Sequence, residues 1–154
     1  MTTSPTRDKV PGLRNTTILA GLDDAAVSFL GQRAVHERAP AGTVILREGE
    51  PGNRLFLLAE GSVKVCKHFG KPNQVDLVEL HAGDFFGEMC ILETLPRSAT
   101  VQAATDIAYC TLGSIAFYHL YENMPAQYGI LLLNIARDLS RRLRRLDEVF
   151  AGRH

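Results

Sequence analysis

The sequence predicts a mainly β protein with flanking helices. Turn-forming residues recur every several positions between residues 40 and 84, and the runs between them are short. Several of these runs alternate apolar and polar residues, which is the period of a half-buried strand. Apolar residues before and after this stretch recur instead at helical spacing. Short strands with closely spaced turns are typical of a β-sandwich, jelly roll or barrel, here with helices at both ends.

The N-terminal part of the chain is predicted to hold a flexible tail and one short helix. Residues 1–15 are polar, with Thr, Ser, Pro and Gly, so we expect a flexible tail there. Asp23 and Asp24 are of a residue type that caps the start of a helix. The apolar residues that follow them at helical spacing are Ala26, Val27, Leu30 and Ala34.

Six strands can be placed directly from the pattern. The first four strands are bounded by turn residues at 40–42, 50–52, 60–61, 70–73 and 82–84. The predicted strands are residues 43–46, 54–58, 62–65, 75–80, 99–103 and 107–112.

Two helices are predicted after Ser114. The first covers residues 115–122 and stops before Pro125, because the position preceding a proline disfavours the helical conformation. The second covers residues 126 to about 149. Its apolar residues, spaced by three or four, are Leu132, Ile135, Leu139, Leu143, Leu146 and Phe150. This stripe fits either packing on the chain's own roll or a coiled-coil contact with another helix, and both remain open.

Composition narrows the class of protein. The 154 residues suit one domain, and 17 basic residues balance 17 acidic ones, without the basic excess of nucleic-acid-binding domains. No segment resembles a signal peptide or approaches the ~20 apolar residues of a membrane span. Cys66, Cys90 and Cys110 form no C-x-x-C pair, so we expect free thiols in a reducing compartment and a cytoplasmic location.

Residue constellations typical of metal sites and catalysis are absent from the sequence. The five histidines form no H-x-H or H-x-x-x-H pair, which argues against a metal-binding jelly roll. No nucleophile–base pair or paired carboxylates can be recognised. We therefore expect no enzymatic activity and no cofactor.

Residues 86–101 do not fit a simple strand–turn–strand pattern. Gly87 permits a sharp turn or a close approach of the backbone. Residues 88–93 have the length of one or two helical turns, and the free N–H groups at a helix start favour an anion. Arg97 carries a planar fork that matches phosphate oxygens. Glu88 beside a bound phosphate would be an acceptor for a sugar hydroxyl.

This segment resembles the phosphate-binding cassette of the cyclic nucleotide-binding domain family. The family pattern there is a glycine, a glutamate, a small helix, and then an arginine with two small residues. The matching residues are Gly87, Glu88, Met89 to Leu92, Arg97, Ser98 and Ala99. The turns at 48–52 and 60–63 and the stretch 82–86 are also similar, so the resemblance covers roughly residues 19–146.

The resemblance implies an eight-stranded jelly-roll-like β-roll with a short N-terminal helix and a long C-terminal helix. The domain would span residues 16–154, with the roll at about 40–113 and the C-terminal helices at about 114–150. Arg97 would pair with the cyclic phosphate, helped by the Ser98 hydroxyl and by backbone N–H groups at Met89, Cys90 and Ala99.

The resemblance also implies the residues around the sugar and the base. Glu88, next to Gly87, would accept a hydrogen bond from the ribose 2′-hydroxyl. The residues implied for the sugar and base side of the pocket are Phe86, Val78, Leu77 and Val65. Those implied for a lid over the base, on the C-terminal helix, are Arg142 and Leu143.

The implied function is that of a non-enzymatic sensor of cAMP or cGMP. Ligand occupancy would be relayed through the C-terminal helices to a protein partner or to a second copy in a homodimer. The chain ends at His154 without the winged helix that follows this roll in transcriptional regulators. We therefore expect no sequence-specific DNA binding, and no contact with membranes.

Departures from the family pattern support an alternative. Cys90 stands where a smaller residue is usual, and Arg142 and Leu143 stand where the activator proteins offer a Thr-Ser pair to the base. The alternative is a degenerate β-roll interaction module that no longer binds nucleotide. In that case Arg97 is a surface arginine paired with a nearby glutamate.

Overall fold

Eight strands form a roll of two antiparallel four-stranded sheets. The computed structural model describes residues 15–88 and 96–152, and all of these strands lie there. They are β1 (Val35–Ala39), β2 (Val44–Leu46), β3 (Arg54–Glu60), β4 (Ser62–Lys67), β5 (Val75–His81), β6 (Phe85–Phe86), β7 (Thr100–Ala103) and β8 (Ile107–Gly113). One sheet has the order β1-β8-β3-β6 and the other the order β2-β7-β4-β5. The predicted fold class is confirmed.

The structure adds one strand ahead of the predicted roll. The first helix ends at Gly31 rather than reaching Ala34, and β1 follows at Val35–Ala39, before the expected start of the roll near residue 40. The strand lies at a sheet edge, where it pairs with β8. Because most of its side chains face solvent, it lacks the apolar alternation by which a half-buried strand is recognised.

The β1-β8-β3-β6 sheet lies between two apolar clusters. Along β3, Leu55 and Leu57 face the helices, whereas Phe56 and Leu58 face the interior of the roll. Because successive side chains of a strand point to opposite faces, a sheet covered on both sides buries both sets. This arrangement explains why β3 carries four consecutive buried residues.

Within residues 15–88 and 96–152, three α-helices flank the roll: α1 (Asp24–Gly31), α2 (Ser114–Asn123) and α3 (Pro125–Ala151), and a 3-10 turn (Thr17–Leu19) precedes α1. Asp23 caps α1, since its Oδ1 accepts a hydrogen bond from the Ala26 N–H at 2.8 Å. Pro125 occupies the first turn of α3, where a missing N–H costs nothing. The predicted cap and the break between α2 and α3 are thus confirmed.

Helix α3 packs against the rest of the chain along its N-terminal half. Leu131, Asn134 and Ile135 are buried, and the Asn134 amide donates to the carbonyl oxygens of Ile18 (2.8 Å) and Ala20 (2.7 Å). From Leu143 onward the apolar side chains of the predicted stripe are exposed. The stripe therefore packs on the chain's own core only as far as Leu139.

Some predicted features lie outside the described residues. These are most of the expected N-terminal tail, residues 1–14, and the cassette positions Met89 and Cys90. Over residues 15–88 and 96–152, no helix has both the length and the apolar character required to span a membrane.

Candidate ligand-binding site

A cleft opens inside the roll where the end of β6, the segment before β7 and helix α3 meet. Its empty volume is about 600 Å³, including the part open to solvent. The apolar residues that line it are Leu46, Val65, Val78, Leu80, Phe86, Pro96, Ala99 and Val101. Its polar lining comes from Gly87, Glu88, Arg97, Ser98 and Arg142.

Arg97 is held at the cleft by backbone groups on several sides. Its own N–H donates to the Glu50 carbonyl, and its carbonyl accepts from the Gly49 N–H, both at 2.8 Å. Its Nη1 donates to the Gly87 carbonyl at 3.3 Å and its Nη2 to the Arg54 carbonyl at 3.1 Å. These neutral acceptors orient the guanidinium and leave its positive charge without a carboxylate partner among the described residues.

Two glycines make room for this guanidinium. A Cβ at Gly52 would overlap the Arg97 side chain, so only glycine permits the present contact. Gly87 has a φ of 80°, and a Cβ there would lie 2.9 Å from the Arg54 carbonyl oxygen and 3.0 Å from Arg97 Nη1. The sequence analysis assigned Gly52 to a turn and missed its contact with Arg97, because the two residues are distant in sequence.

Glu88 follows Gly87 directly and is almost completely buried, with 8% of its side chain exposed. Burial raises the pKa of its carboxyl above the usual range, because desolvation disfavours the charged form. The positive charge of Arg142 opposes this rise in pKa, and its Nη1 lies 3.4 Å from Glu88 Oε1. A carboxylate in this position accepts hydrogen bonds from a donor in the cleft.

Arg142 brings helix α3 to the cleft. Besides its ion pair with Glu88, its Nη2 donates to the Phe85 carbonyl at 2.7 Å. Its Nε lies 2.6 Å from Oδ2 of Asp138, one turn earlier on the same helix. Its Cζ is 5.2 Å from the centre of the Phe85 ring. Sequence reasoning missed Asp138, whose spacing of four from Arg142 was the available signal.

The predicted site residues divide into three groups. Those at the cleft are Arg97, Ser98, Ala99, Glu88, Gly87, Phe86, Val78, Val65 and Arg142. Met89 and Cys90 lie outside the described residues. Leu77 and Leu143 do not line the cleft.

The structure places both Leu77, predicted for the pocket, and Leu143, predicted for the base lid, away from the cleft. Val78 pairs with Val65 across β4 and β5 and faces the cleft, so its neighbour Leu77 points to the opposite face and is 42% exposed. Leu143 follows Arg142 on α3, a rotation of about 100° around the helix, and is 61% exposed. The strand period that excludes Leu77 also predicts Leu80, which the sequence analysis missed.

Metal binding and cysteine chemistry are the other activities that we considered for the described residues. Within residues 15–88 and 96–152, no group of three or more His, Cys, Asp or Glu side chains is arranged to hold a metal ion. Cys66 and Cys110 are free and buried, and burial raises the pKa of Cys110 to about 12, which keeps its thiol protonated and unreactive.

Comparisons with known sequences point to one family. The model of the cyclic nucleotide-binding domain matches residues 36–124, more than half of the chain. A cyclic nucleotide-gated potassium channel of Mesorhizobium japonicum is 48% identical over 94 residues, which are 60% of this chain and 24% of the channel. A cAMP-dependent protein kinase regulatory subunit of Yarrowia lipolytica is 32% identical over 123 residues, which are 75% of this chain and 32% of that protein. The chain thus spans about a quarter to a third of these relatives.

Comparisons with solved structures point to the same family. A cyclic nucleotide-binding domain of Methylobacillus flagellatus has a TM-score of 0.83 at 24% identity, covering 94% of this chain and 85% of that one, and shows the shared fold. The N-terminal domain of a Streptomyces coelicolor transcriptional regulator has a TM-score of 0.71 at 27% identity, with 92% and 95% coverage. The catabolite activator protein of Thermus thermophilus scores 0.73 at 28% identity, with 88% and 62% coverage. Together with the match over residues 36–124, these likenesses establish that the chain belongs to the cyclic nucleotide-binding domain family.

Proposed function

We propose that this chain is a non-enzymatic sensor domain that binds cAMP or cGMP in the cleft and relays its occupancy through α2 and α3. The observation that carries the proposal is the meeting of Arg97 and Glu88 at one cleft with an apolar wall. A cation, an acceptor and an apolar surface are the three features that a phosphate, a ribose hydroxyl and a base require. The family membership of the chain supports the same ligand class.

Arg97 is suited to the cyclic phosphate. Its guanidinium has five N–H groups, of which two are used by the Gly87 and Arg54 carbonyls. A phosphate oxygen carries negative charge, and a charge-assisted hydrogen bond is roughly twice as strong as a neutral one. The Ser98 hydroxyl, at the same cleft, offers a further donor. A cyclic phosphate therefore supplies the anionic partner that the described surroundings of Arg97 do not provide.

Glu88 is suited to the ribose. Its carboxylate oxygens accept hydrogen bonds, and the 2′-hydroxyl is the donor that distinguishes ribose from deoxyribose. The apolar side chains of Val65, Val78 and Leu80 offer a surface for the sugar and base. This surface does not distinguish adenine from guanine by hydrogen bonding, so the proposal includes both cyclic nucleotides.

The relay we propose runs through α3, because Arg142 of this helix contacts both Glu88 and the Phe85 carbonyl. A ligand that changes the Glu88 contacts changes the relative free energies of two helix arrangements, which is what a population shift requires. The receiver is a protein partner or a second copy of this chain, bound through the exposed C-terminal half of α3. The site of action is the cytoplasm.

Arg97 variants test the proposal directly. Replacing Arg97 with Ala leaves the phosphate charge unpaired, and breaking such a pair costs about 3–5 kcal/mol, so affinity should fall at least about a hundredfold. Arg97→Lys keeps the charge but loses the fork and should bind with intermediate affinity. Calorimetry with cAMP and with cGMP measures both, and Arg144→Ala, an exposed arginine on α3, is the matched control. A folded Arg97→Ala variant that binds normally contradicts the assignment.

One observation favours the degenerate module as the second candidate. Arg97 already donates to two backbone carbonyls and Glu88 already pairs with Arg142, so both key side chains have partners within the chain. Thermal denaturation separates the two functions. A ligand present at a hundred times its Kd adds about 2.7 kcal/mol of stability, and an unchanged Tm with both cyclic nucleotides favours the degenerate module.

A further inference from the structure

Gly52 contacts the guanidinium of Arg97 from outside the cleft. It lies in the turn between β2 and β3 and is not among the residues that line the cleft. A Cβ on Gly52 would overlap Nε, Cζ and Nη2 of Arg97, so the overlap falls on the guanidinium itself. The group that we propose binds the phosphate therefore packs on a residue that is remote from the ligand.

The turn that contains Gly52 is fixed on both sides of this residue. Before it, the Glu50 carbonyl accepts a hydrogen bond from the Arg97 N–H at 2.8 Å. After it, the Asn53 carbonyl accepts one from the Ser114 N–H, also at 2.8 Å. Movement of Gly52 away from Arg97 therefore requires that these backbone hydrogen bonds break.

Glu48 anchors the beginning of the same turn to the roll. Its N–H donates to the Thr100 hydroxyl oxygen at 3.0 Å, and its Oε1 accepts from the His68 N–H at 2.9 Å. Thr100 belongs to β7 and is buried, and His68 directly follows β4. The turn thus presents Gly52 to Arg97 at a fixed position.

A methyl group at position 52 would displace the arginine side chain and not the turn. An arginine side chain rotates about several single bonds between staggered positions, whereas the turn is held by hydrogen bonds at its start and on both sides of Gly52. Gly52 does not have a positive φ, so alanine can adopt its backbone conformation without strain. The displaced guanidinium would leave the Gly87 and Arg54 carbonyls, which accept from it at 3.3 and 3.1 Å.

We propose that Gly52 is a positioning residue for phosphate binding: because it lacks a Cβ, the turn between β2 and β3 holds the Arg97 guanidinium in the orientation that binds the phosphate. The inference rests on the proposed function, in which Arg97 pairs with the cyclic phosphate, and it assigns part of the affinity to a residue that does not line the cleft. Orientation matters because the planar fork of arginine bonds two phosphate oxygens only when it is aligned with them. A displaced guanidinium keeps its charge but loses this alignment.

Gly52→Ala tests the positioning role without touching a residue of the cleft. We expect it to bind cAMP or cGMP about tenfold more weakly than the unaltered chain, the equivalent of roughly one charge-assisted hydrogen bond. Isothermal calorimetry with the full chain measures this change. Urea denaturation without ligand should give nearly the same midpoint as the unaltered chain, because the side chain moves and the turn does not. Gly129→Ala is the control, since the structure leaves open space for a Cβ there, and its Kd should be unchanged.

A double-mutant cycle separates positioning of Arg97 from a general effect on the cleft. In the Arg97→Ala background no guanidinium is left to displace, so Gly52→Ala should not lower the affinity further. Nuclear magnetic resonance of the Arg97 Nε–H group reports the side chain itself. In the chain without ligand, Gly52→Ala should shift this resonance, whereas Gly129→Ala should not.

The outcomes distinguish failure of the inference from failure of the proposed function. If the unaltered chain binds neither cAMP nor cGMP, the proposed function fails and the inference falls with it. If the unaltered chain binds and Gly52→Ala binds equally tightly, or weakens binding by the same factor with and without Arg97, only the positioning role is overturned. A Gly52→Ala chain that no longer folds also overturns it, because the turn and not the side chain has then moved. Weaker binding with an unchanged urea midpoint, confined to chains that contain Arg97, supports the inference.

Discussion

The two halves of helix α3 share one apolar stripe but have opposite surroundings. In the N-terminal half, Leu131 and Ile135 are buried against the roll and the preceding turn, and Asn134 is fixed by two carbonyl oxygens. In the C-terminal half, Leu143 and Leu146 are exposed. Arg142 lies at the boundary and makes the contact with the cleft.

This difference shows that an apolar stripe on a helix indicates an interface but does not identify the surface that covers it. The spacing of threes and fours continues unchanged from Leu132 to Phe150. The roll covers only its first part, since the described core contacts of α3 end at Leu139. We propose that the exposed remainder of the stripe binds the partner or second copy to which ligand occupancy is relayed.

The largest difference in the free energy of unfolding is expected between two variants, each with one leucine replaced, one in each half of α3. Leu131→Ala should lower the free energy of unfolding by about 3 kcal/mol, because it removes a buried side chain and leaves a cavity. Leu146→Ala should change it by less than about 0.5 kcal/mol, as is usual for exposed positions. Urea denaturation measures both. Equal losses that depend on protein concentration would show instead that a second copy covers the C-terminal half.

Asn134→Ala tests the polar anchor of the buried half and should have a smaller effect. The substitution leaves the Ile18 and Ala20 carbonyls without their donor, so we expect a loss of about 2 kcal/mol in the free energy of unfolding. Ser140→Ala, at an exposed position of the same helix, is the control and should be nearly neutral. A neutral Asn134→Ala would mean that water replaces the amide at this contact.

Glu88, which pairs with Arg142 at the boundary between the halves, should have a smaller effect, which appears in the pH dependence of the free energy of unfolding. The pKa of Glu88 is raised above the ordinary 4.5 by burial, so the folded chain binds this proton more tightly than the unfolded chain. The contribution of Glu88 to stability therefore decreases as pH rises from the unfolded pKa through the folded one.

Urea denaturation at a series of pH values measures this contribution. Relative to Glu88→Gln, the unaltered chain should lose stability as pH rises through that window, whereas Glu148→Gln, on the exposed end of α3, should not alter the profile. The opposite slope would show that the ion pair with Arg142 outweighs the burial of Glu88.

The resemblance to the family pattern predicted most of the cleft, because the residues that carry this pattern lie in one continuous segment. Gly87, Glu88, Arg97, Ser98 and Ala99 all fall within thirteen residues, and the structure places them at one cleft. Contacts between distant segments were the ones missed. The packing of Arg97 on Gly52 and the hydrogen bond from Arg142 to the Phe85 carbonyl depend on how loops and helix dock, and no local pattern encodes this docking.

The chain alone determined the order of its elements, the helix cap at Asp23 and the break at Pro125. These features depend on local backbone preferences and on side-chain periods, which neighbouring residues specify. The tertiary structure alone decided that β1 joins the roll, that Arg97 packs on Gly52 and that α3 is covered only along its first half. Burial and pairing depend on which distant surfaces meet, and a surface can be recognised as apolar before its partner is known.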